Sequence, residues 1–238
     1  MTRRTNARIA GVMFLAYIAV GRTSLVLFNR ATAGADGTAA TLASLAQHAS
    51  TVRLTALLTL LTFVIAVVLA VTLYALTRDQ DHDLAVLALC CRATEGVLAA
   101  VGTLRTFGLL SVATASVAAT TADVAATRAL GALLLEQGGG GELIAATCFA
   151  VGSALYAYLF LRARSIPVPL AWLGVLASLL LVVALPLRLA EVLGGPLTYG
   201  VWIPMAVFEV TLALWLIIKG VAAPPREPHQ PHATRGFG

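Results

Sequence analysis

Apolar residues along this chain gather into six long blocks parted by polar interruptions: Ile9–Phe28, Val52–Leu76, Leu84–Leu110, Glu142–Leu161, Leu170–Leu193 and Trp202–Gly220. Each block is close to the roughly 20 mostly apolar residues that carry a helix across a hydrocarbon core ~30 Å thick. The period-two alternation of a membrane barrel is missing, and a helix satisfies its own backbone hydrogen bonds in lipid. The pattern therefore predicts an all-α, polytopic transmembrane bundle of six spans within residues 1–221. A disordered tail over 222–238 follows, where Pro224, Pro225, Pro228 and Pro231 recur without any apolar period.

Two of the connections are long, Asn29–Thr51 and Ser111–Gly141. The second is rich in Ala and Thr and ends in the run Gly138–Gly141. Its stretch Val124–Glu136 sets Leu130, Leu133, Leu134 and Leu135 beside Asp123, Arg128 and Glu136, the composition of a helix lying in the membrane interface. A seventh span there is the alternative, but it would bury Asp123 and Arg128 and move Arg162 and Arg164 to the other side.

Basic residues set the expected orientation. With the amino terminus in the cytoplasm, Arg3, Arg4, Arg8, Arg78, Arg162, Arg164, Lys219, Arg226 and Arg235 all lie inside, and only Arg30, Arg53 and Arg128 lie outside. Both termini are then cytoplasmic and the expected location is the cytoplasmic membrane of a bacterium. The first block also has features of a signal peptide, with basic residues before it and Ala31-Thr32-Ala33 after it, but its apolar run is longer than an ordinary signal core.

Composition agrees with a lipid environment. Charged residues make up 11% of the 238, against about a quarter in soluble domains. The formal charge of +5 sits mostly where helices meet water and forms no single basic face, so nucleic acid is not an expected partner. Cys90, Cys91 and Cys148 all fall inside apolar blocks and read as packing residues rather than a disulfide framework. Trp172, Trp202 and Trp215 fall near block ends, where an interfacial belt places them. Pro186 and Pro204, within the fifth and sixth blocks, favour kinks.

The chemically informative residues are the charges inside the blocks, because a charge at the bilayer centre costs about 2.5–3.5 kcal/mol even on lenient scales. Arg92, Glu95 and Glu209 are the deepest. Arg92 and Glu95 are three residues apart and share a helix face. Along that face follow Gly96, Ala99 and Gly102, small enough to admit a neighbouring helix, while Val97, Leu98, Val101 and Leu104 suit lipid. At ~1.5 Å per residue Glu95 and Glu209 reach similar heights. Two carboxylates sharing one guanidinium cannot both be fully compensated. The group can hold helices in register, or it can serve a proton, ion or solute. A weaker group, Arg105, Arg188 and Glu191, falls near the outer ends of the third and fifth blocks, where, like Arg22, it can snorkel to headgroups.

Other mechanisms lack their residues. None of His48, His82, His229 and His232 lies in a block, which removes a bis-histidine haem bundle and a serine–histidine protease, so Ser153 after Gly152 reads as packing. The only lysine, Lys219, is at a block end, so no Schiff-base lysine is available in mid-membrane. A Walker A sequence and HExxH are both missing, Gly138–Gly141 being followed by no Lys-Ser/Thr. His229-Gln-Pro-His232 is a weak metal-like pair, and neither a metal nor a cofactor is expected.

Arg92-Ala-Thr-Glu95-Gly96, Leu130-Gly131-Ala132-Leu133-Leu134-Leu135, Ile166-Pro167, and Glu209 through Leu214-Trp215-Leu216-Ile217-Ile218-Lys219-Gly220 together resemble a bacterial membrane family known as domain of unknown function 4386. Arg8-Ile9-Ala10-Gly11 followed by Phe14-Leu15 resembles its opening. The likeness extends to Val221 and implies a bundle of about six helices with Arg92, Glu95 and Glu209 as its polar signature. It carries no activity. The chain departs from the family pattern at Gly138–Gly141, where a charged and an aromatic residue are expected, and at Arg22, where an apolar one is. The expected function is that of an integral membrane protein whose Arg92–Glu95–Glu209 group lines a small polar cavity for transport or sensing of a small solute or proton. A structural or accessory subunit is the alternative, and an enzyme is disfavoured because no nucleophile accompanies the glutamates. The lipid bilayer is the expected partner; neither a protein partner nor an oligomeric state can be read.

Overall fold

The computed structural model describes residues 2–118, 123–194 and 200–222. Among these every regular element is a helix: α1 (Arg3–Ala31), α2 (Gly37–Gln47), α3 (Ala49–Thr77), α4 (His82–Ala118), α5 (Asp123–Ala163), α6 (Val168–Leu189) and α7 (Ile203–Ile218). Five of them, all but α2 and α7, are long and apolar enough to cross a membrane.

Small and large apolar residues share the interior: Ala7, Ala10, Ala88, Ala150, Ala157, Ala171, Ala177 and Ala213 are interleaved with residues such as Phe14, Phe160, Leu69, Leu73, Leu181 and Leu216. Large apolar side chains also stand outside: Leu57, Leu61, Val64 and Val71 along α3, and Leu176, Leu179, Leu180 and Val183 along α6. A water-exposed surface rarely carries such continuous apolar faces. Close backbone approach through small residues, with bulk turned outward, is how helices pack in lipid. This is a multi-pass membrane protein.

Six helices close into a ring. In order, α1 packs on α3, α3 on α4, α4 on α5, α5 on α6 and α6 on α7, and α7 returns to α1. One end of the ring holds the amino terminus, the α3–α4 and α5–α6 turns and the end of α7. Arg3 Nη1 lies 3.0 Å from Asp79 Oδ2, Arg162 Nη1 lies 3.1 Å from Asp81 Oδ2, and Ala222 N donates to the Ser165 carbonyl at 3.0 Å. Asp81 also accepts from Leu84 N, capping α4. Gly220, in the left-handed region at φ 74°, ends α7 by donating from its N–H to the Trp215 carbonyl.

The opposite, distal end differs from the sequence expectation. The connection 29–51 contains α2, for which the apolar pattern carried no signal. Within the connection 111–141, where a separate helix was expected over Val124–Glu136, α4 runs on to Ala118, and α5 begins at Asp123 rather than Glu142 and passes through Gly138–Gly141. Val124–Glu136 is thus the first part of α5 and not a separate interfacial helix. At ~1.5 Å per residue α4 and α5 are about 55 and 60 Å long, roughly twice the hydrocarbon thickness. A second core explains their persistence: Leu42 and Leu45 of α2 pack with Ala31, Val52, Leu109, Leu110 and Val112, and with Leu134 and Leu135 against them. Gly131 admits Leu42, whose Cδ1 would lie 2.7 Å from a Cβ at that position. Packing of this kind outweighs the helix penalty of about 1 kcal/mol per glycine.

Smaller differences have local causes. Pro204 sits in the first turn of α7, where its missing N–H costs no hydrogen bond, rather than within the helix; only Pro186 is internal, near the end of α6. α6 stops at Leu189, not Leu193, and Glu191 after it takes φ 59°. Cys90 is exposed on the outer face, while Cys91 and Cys148 are half-buried and all three are free. The tail from Ala223, with His229 and His232, lies outside the described residues.

The tightest helix approach generates a prediction. A Cβ on Gly11 of α1 would lie 2.6 Å from the Ala213 carbonyl oxygen and 2.7 Å from Ile217 Cγ1 of α7, whereas one on Gly21 would meet nothing within 4 Å. Gly11→Ala is expected to destabilise the detergent-solubilised protein by about 1–3 kcal/mol, the usual cost of overpacking. Gly21→Ala should leave it unchanged or slightly more stable, a contrast readable in thermal unfolding.

Candidate functional site

The interior of the ring holds a charged group. Arg92 and Glu95, one turn apart on α4, point inward and are 1% and 5% exposed. Arg92 Nη1 lies 3.0 Å from Glu95 Oε2, an ion pair by distance although not aligned as a hydrogen bond. The other carboxylate oxygen, Oε1, accepts a short hydrogen bond from the Tyr17 hydroxyl of α1. The guanidinium is otherwise enclosed by aromatic rings, with its carbon 4.5 Å from the Phe149 centroid and 5.4 Å from that of Tyr17. Desolvated cation–π contacts of this kind contribute about 2 kcal/mol. Room for the arginine stem comes from Gly152 of α5, where a Cβ would lie 2.9 Å from Arg92 Cγ.

Glu209 enters from α7, on the other side of the ring, and is 7% exposed. Its Oε1 is buried without a hydrogen-bond partner. It lines two cavities. The smaller, about 10 Å³, lies between Arg92, Ser153, Tyr156 and Glu209, space for about one water-sized molecule. The larger, about 570 Å³, is lined by Tyr17, Glu95, Phe149 and Glu209 and extends along α4 through Ala99, Gly102 and Thr103 to Arg105 and Thr106. Across it stand Gln137, Gly138 and Glu142 of α5 and Trp202 before α7. Its size falls within the roughly 300–1,000 Å³ of small-molecule sites. A further space of about 270 Å³ shares Thr59, Arg105, Thr106 and Glu142 with it and continues between α1 and α3 past Ser24 and Leu25.

The residues expected from sequence occupy different surroundings. Arg92, Glu95 and Glu209 are all buried in the ring. Arg105 is joined to α5, with Nη1 3.3 Å from the Leu134 carbonyl and Nη2 3.5 Å from Glu142 Oε1. Gly138 leaves the space that the Arg105 guanidinium fills, since a Cβ there would fall 1.8 Å from Nη1. Arg188 is half-buried in the last turn of α6 and Glu191 is exposed beyond it. Of the four residues assigned to lipid, Val97, Val101 and Leu104 are exposed; Leu98 is half-buried and lines the large cavity instead.

Tyr17, Phe149, Gly152 and Glu142 are contributors that the sequence did not assign to the site, and Trp202, expected in an interfacial belt, lines the large cavity beside Phe149. Tyr17 and Phe149 sit in apolar blocks, where an aromatic residue carries no sign of the charge it will face.

The geometry makes the ion pair interdependent. Removing one member of a buried pair typically costs about 3–5 kcal/mol, because the survivor is left uncompensated, whereas replacing both with apolar residues can be neutral. Arg92→Leu is therefore expected to destabilise the protein by that amount, and adding Glu95→Leu should recover a large part of the loss. Equal stability of the single and double variants in a denaturation cycle would contradict the pairing.

Comparison with curated proteins and with solved structures returned no match. One family model does match, over residues 9–220, from the start of the apolar part of α1 to the glycine that ends α7. That span takes in the whole ring and its buried charges, and the chain belongs to the family described as Domain of unknown function (DUF4386).

Proposed function

We propose that this chain is a six-span protein of a bacterial cytoplasmic membrane, with both termini cytoplasmic, in which Arg92, Glu95 and Glu209 form the inner end of a binding cavity for a small solute or proton that the protein transports or senses. The observation that carries this reading is the cavity of about 570 Å³ running from Glu95 and Glu209 to Arg105. An ion pair that only held helices together would require no such space beside it.

The membrane placement rests on charge sidedness. Arg3, Arg4, Arg8, Arg78, Arg162, Arg164 and Lys219 belong to helix ends and turns at the amino-terminal end of the ring, and Arg30, Arg53 and Arg128 to the distal end. α7 supplies the sixth crossing. Its 16 residues span about 24 Å, with Trp202 and Lys219 at its two ends as interfacial anchors. The distal parts of α4 and α5, with α2, then form a cap on the external side.

A structural or accessory role is the second reading. It is favoured by the way Tyr17, Arg92, Glu95 and Phe149 tie α1, α4 and α5 together. The two readings separate on the isosteric variants Glu95→Gln and Glu209→Gln. Both should elute as folded proteins, Glu95→Gln with a lower melting temperature because Arg92 loses its partner, and both should change proton- or ion-linked flux in proteoliposomes several-fold. Flux identical to wild type in both folded variants removes the transport reading, and a stoichiometric partner retained through mild extraction favours the accessory one.

A further inference from the structure

We infer that the large cavity takes a small organic cation, an ammonium group on an apolar body, with the ammonium at Glu209 and the body against Phe149 and Trp202; the inference rests on the solute-binding reading above and names the ligand class of that site.

Glu95 is already committed, with Oε1 held by the Tyr17 hydroxyl and Oε2 by Arg92. Glu209 is not. It is more than nine-tenths buried, it lines the cavity, and its Oε1 has no partner among the described residues. A carboxyl so placed has a free acceptor facing the cavity, and a cationic donor there would both bond it and compensate its charge in the ionised form.

The surrounding charges point the same way. Around and behind the cavity, the carboxylates of Glu95, Glu142 and Glu209 outnumber the guanidinium groups of Arg92 and Arg105, leaving one negative charge when all are ionised. Of the two guanidinium groups only Arg105 lines the large cavity, and it is paired with Glu142; Arg92, whose Nη2 has no hydrogen-bond partner, faces the small cavity instead, so no unpaired guanidinium stands in the large one for an anion. Among the described residues no three or more His, Cys, Asp and Glu gather as a metal site, and the cavity is far larger than a bare ion. Phe149 and Trp202, with ring centroids 6.0 Å apart and planes at 38°, instead supply apolar and π surface. Aromatic rings beside a carboxylate are the environment in which ammonium ligands are bound.

The test compares three ligands that share a ring and differ in charge. Phenethylamine, 2-phenylethanol and 3-phenylpropionate are titrated calorimetrically at neutral pH into the full-length protein in detergent, with empty micelles as the blank. The amine is expected to bind at least about tenfold more tightly than the alcohol or the acid. In Glu209→Gln that advantage should disappear, leaving the amine no tighter than the alcohol. An alcohol or acid that binds as tightly as the amine overturns the cationic class while leaving a solute cavity in place. Binding of none of the three also overturns the inference, and the flux measurements on Glu95→Gln and Glu209→Gln then decide the broader reading independently. The ligand comparison in the wild-type protein is decisive even where Glu209→Gln fails to fold.

Discussion

A guanidinium enclosed in a bundle whose outer surface is apolar is the constraint from which much of this molecule follows. Arg92 cannot reach water along the lipid-facing side, so its charge is met inside by Glu95 and by the faces of Phe149 and Tyr17. Each of those groups comes from a helix that must then stand at a particular rotation. α4 turns Arg92 and Glu95 inward together, α1 is held by the Tyr17 hydroxyl, and α5 offers a glycine where the arginine stem passes. The ring is closed by α7 on α1, through the contact that Gly11 permits.

Two kinds of packing share the chain. In the ring, alanines and glycines bring backbones close at the helix crossings, buried leucines and phenylalanines fill the space between them, and further large apolar side chains face outward, where lipid is as apolar as the interior. In the distal cap, α2 is pressed onto α4 and α5 through leucines, in the manner of a small soluble core. Arg105 stands where these regions meet. Its pair with Glu142 bridges the two longest helices beside the cavity, and its guanidinium occupies the space that Gly138 leaves. The glycine run is therefore informative at one position, while Cβ atoms on Gly139, Gly140 and Gly141 would meet nothing.

Much of the ring was legible because membrane helices announce themselves locally. Length and apolarity locate α3, α6, α7 and the start of α4 within a few residues, and the three-residue spacing of Arg92 and Glu95 dictates a shared face. The outward positions of Val97, Val101 and Leu104 follow from the same geometry. The distal end was legible only in part. A helix over Val124–Glu136 was expected, but its continuation through Gly138–Gly141 and the helix α2 were not, since those stretches are weakly apolar or rich in alanine, threonine and glycine and show their packing partners only in the fold. Tyr17 and Phe149 were hidden differently, since an aromatic side chain in an apolar block serves lipid or a cation equally well until its neighbours are known.

The amino-acid sequence by itself determined the solvent of this protein, its helical class, the identity of its costly charges and the face that two of them share, because these depend on composition and on spacing within one helix. Tertiary structure alone decided the order of the ring, the placing of Glu209 and Arg92 around one small cavity, the aromatic enclosure of the guanidinium and the larger cavity beside it. Those depend on which helices are neighbours and how each is rotated. Such relations are set by contacts between residues far apart in the chain, where no local period carries the information.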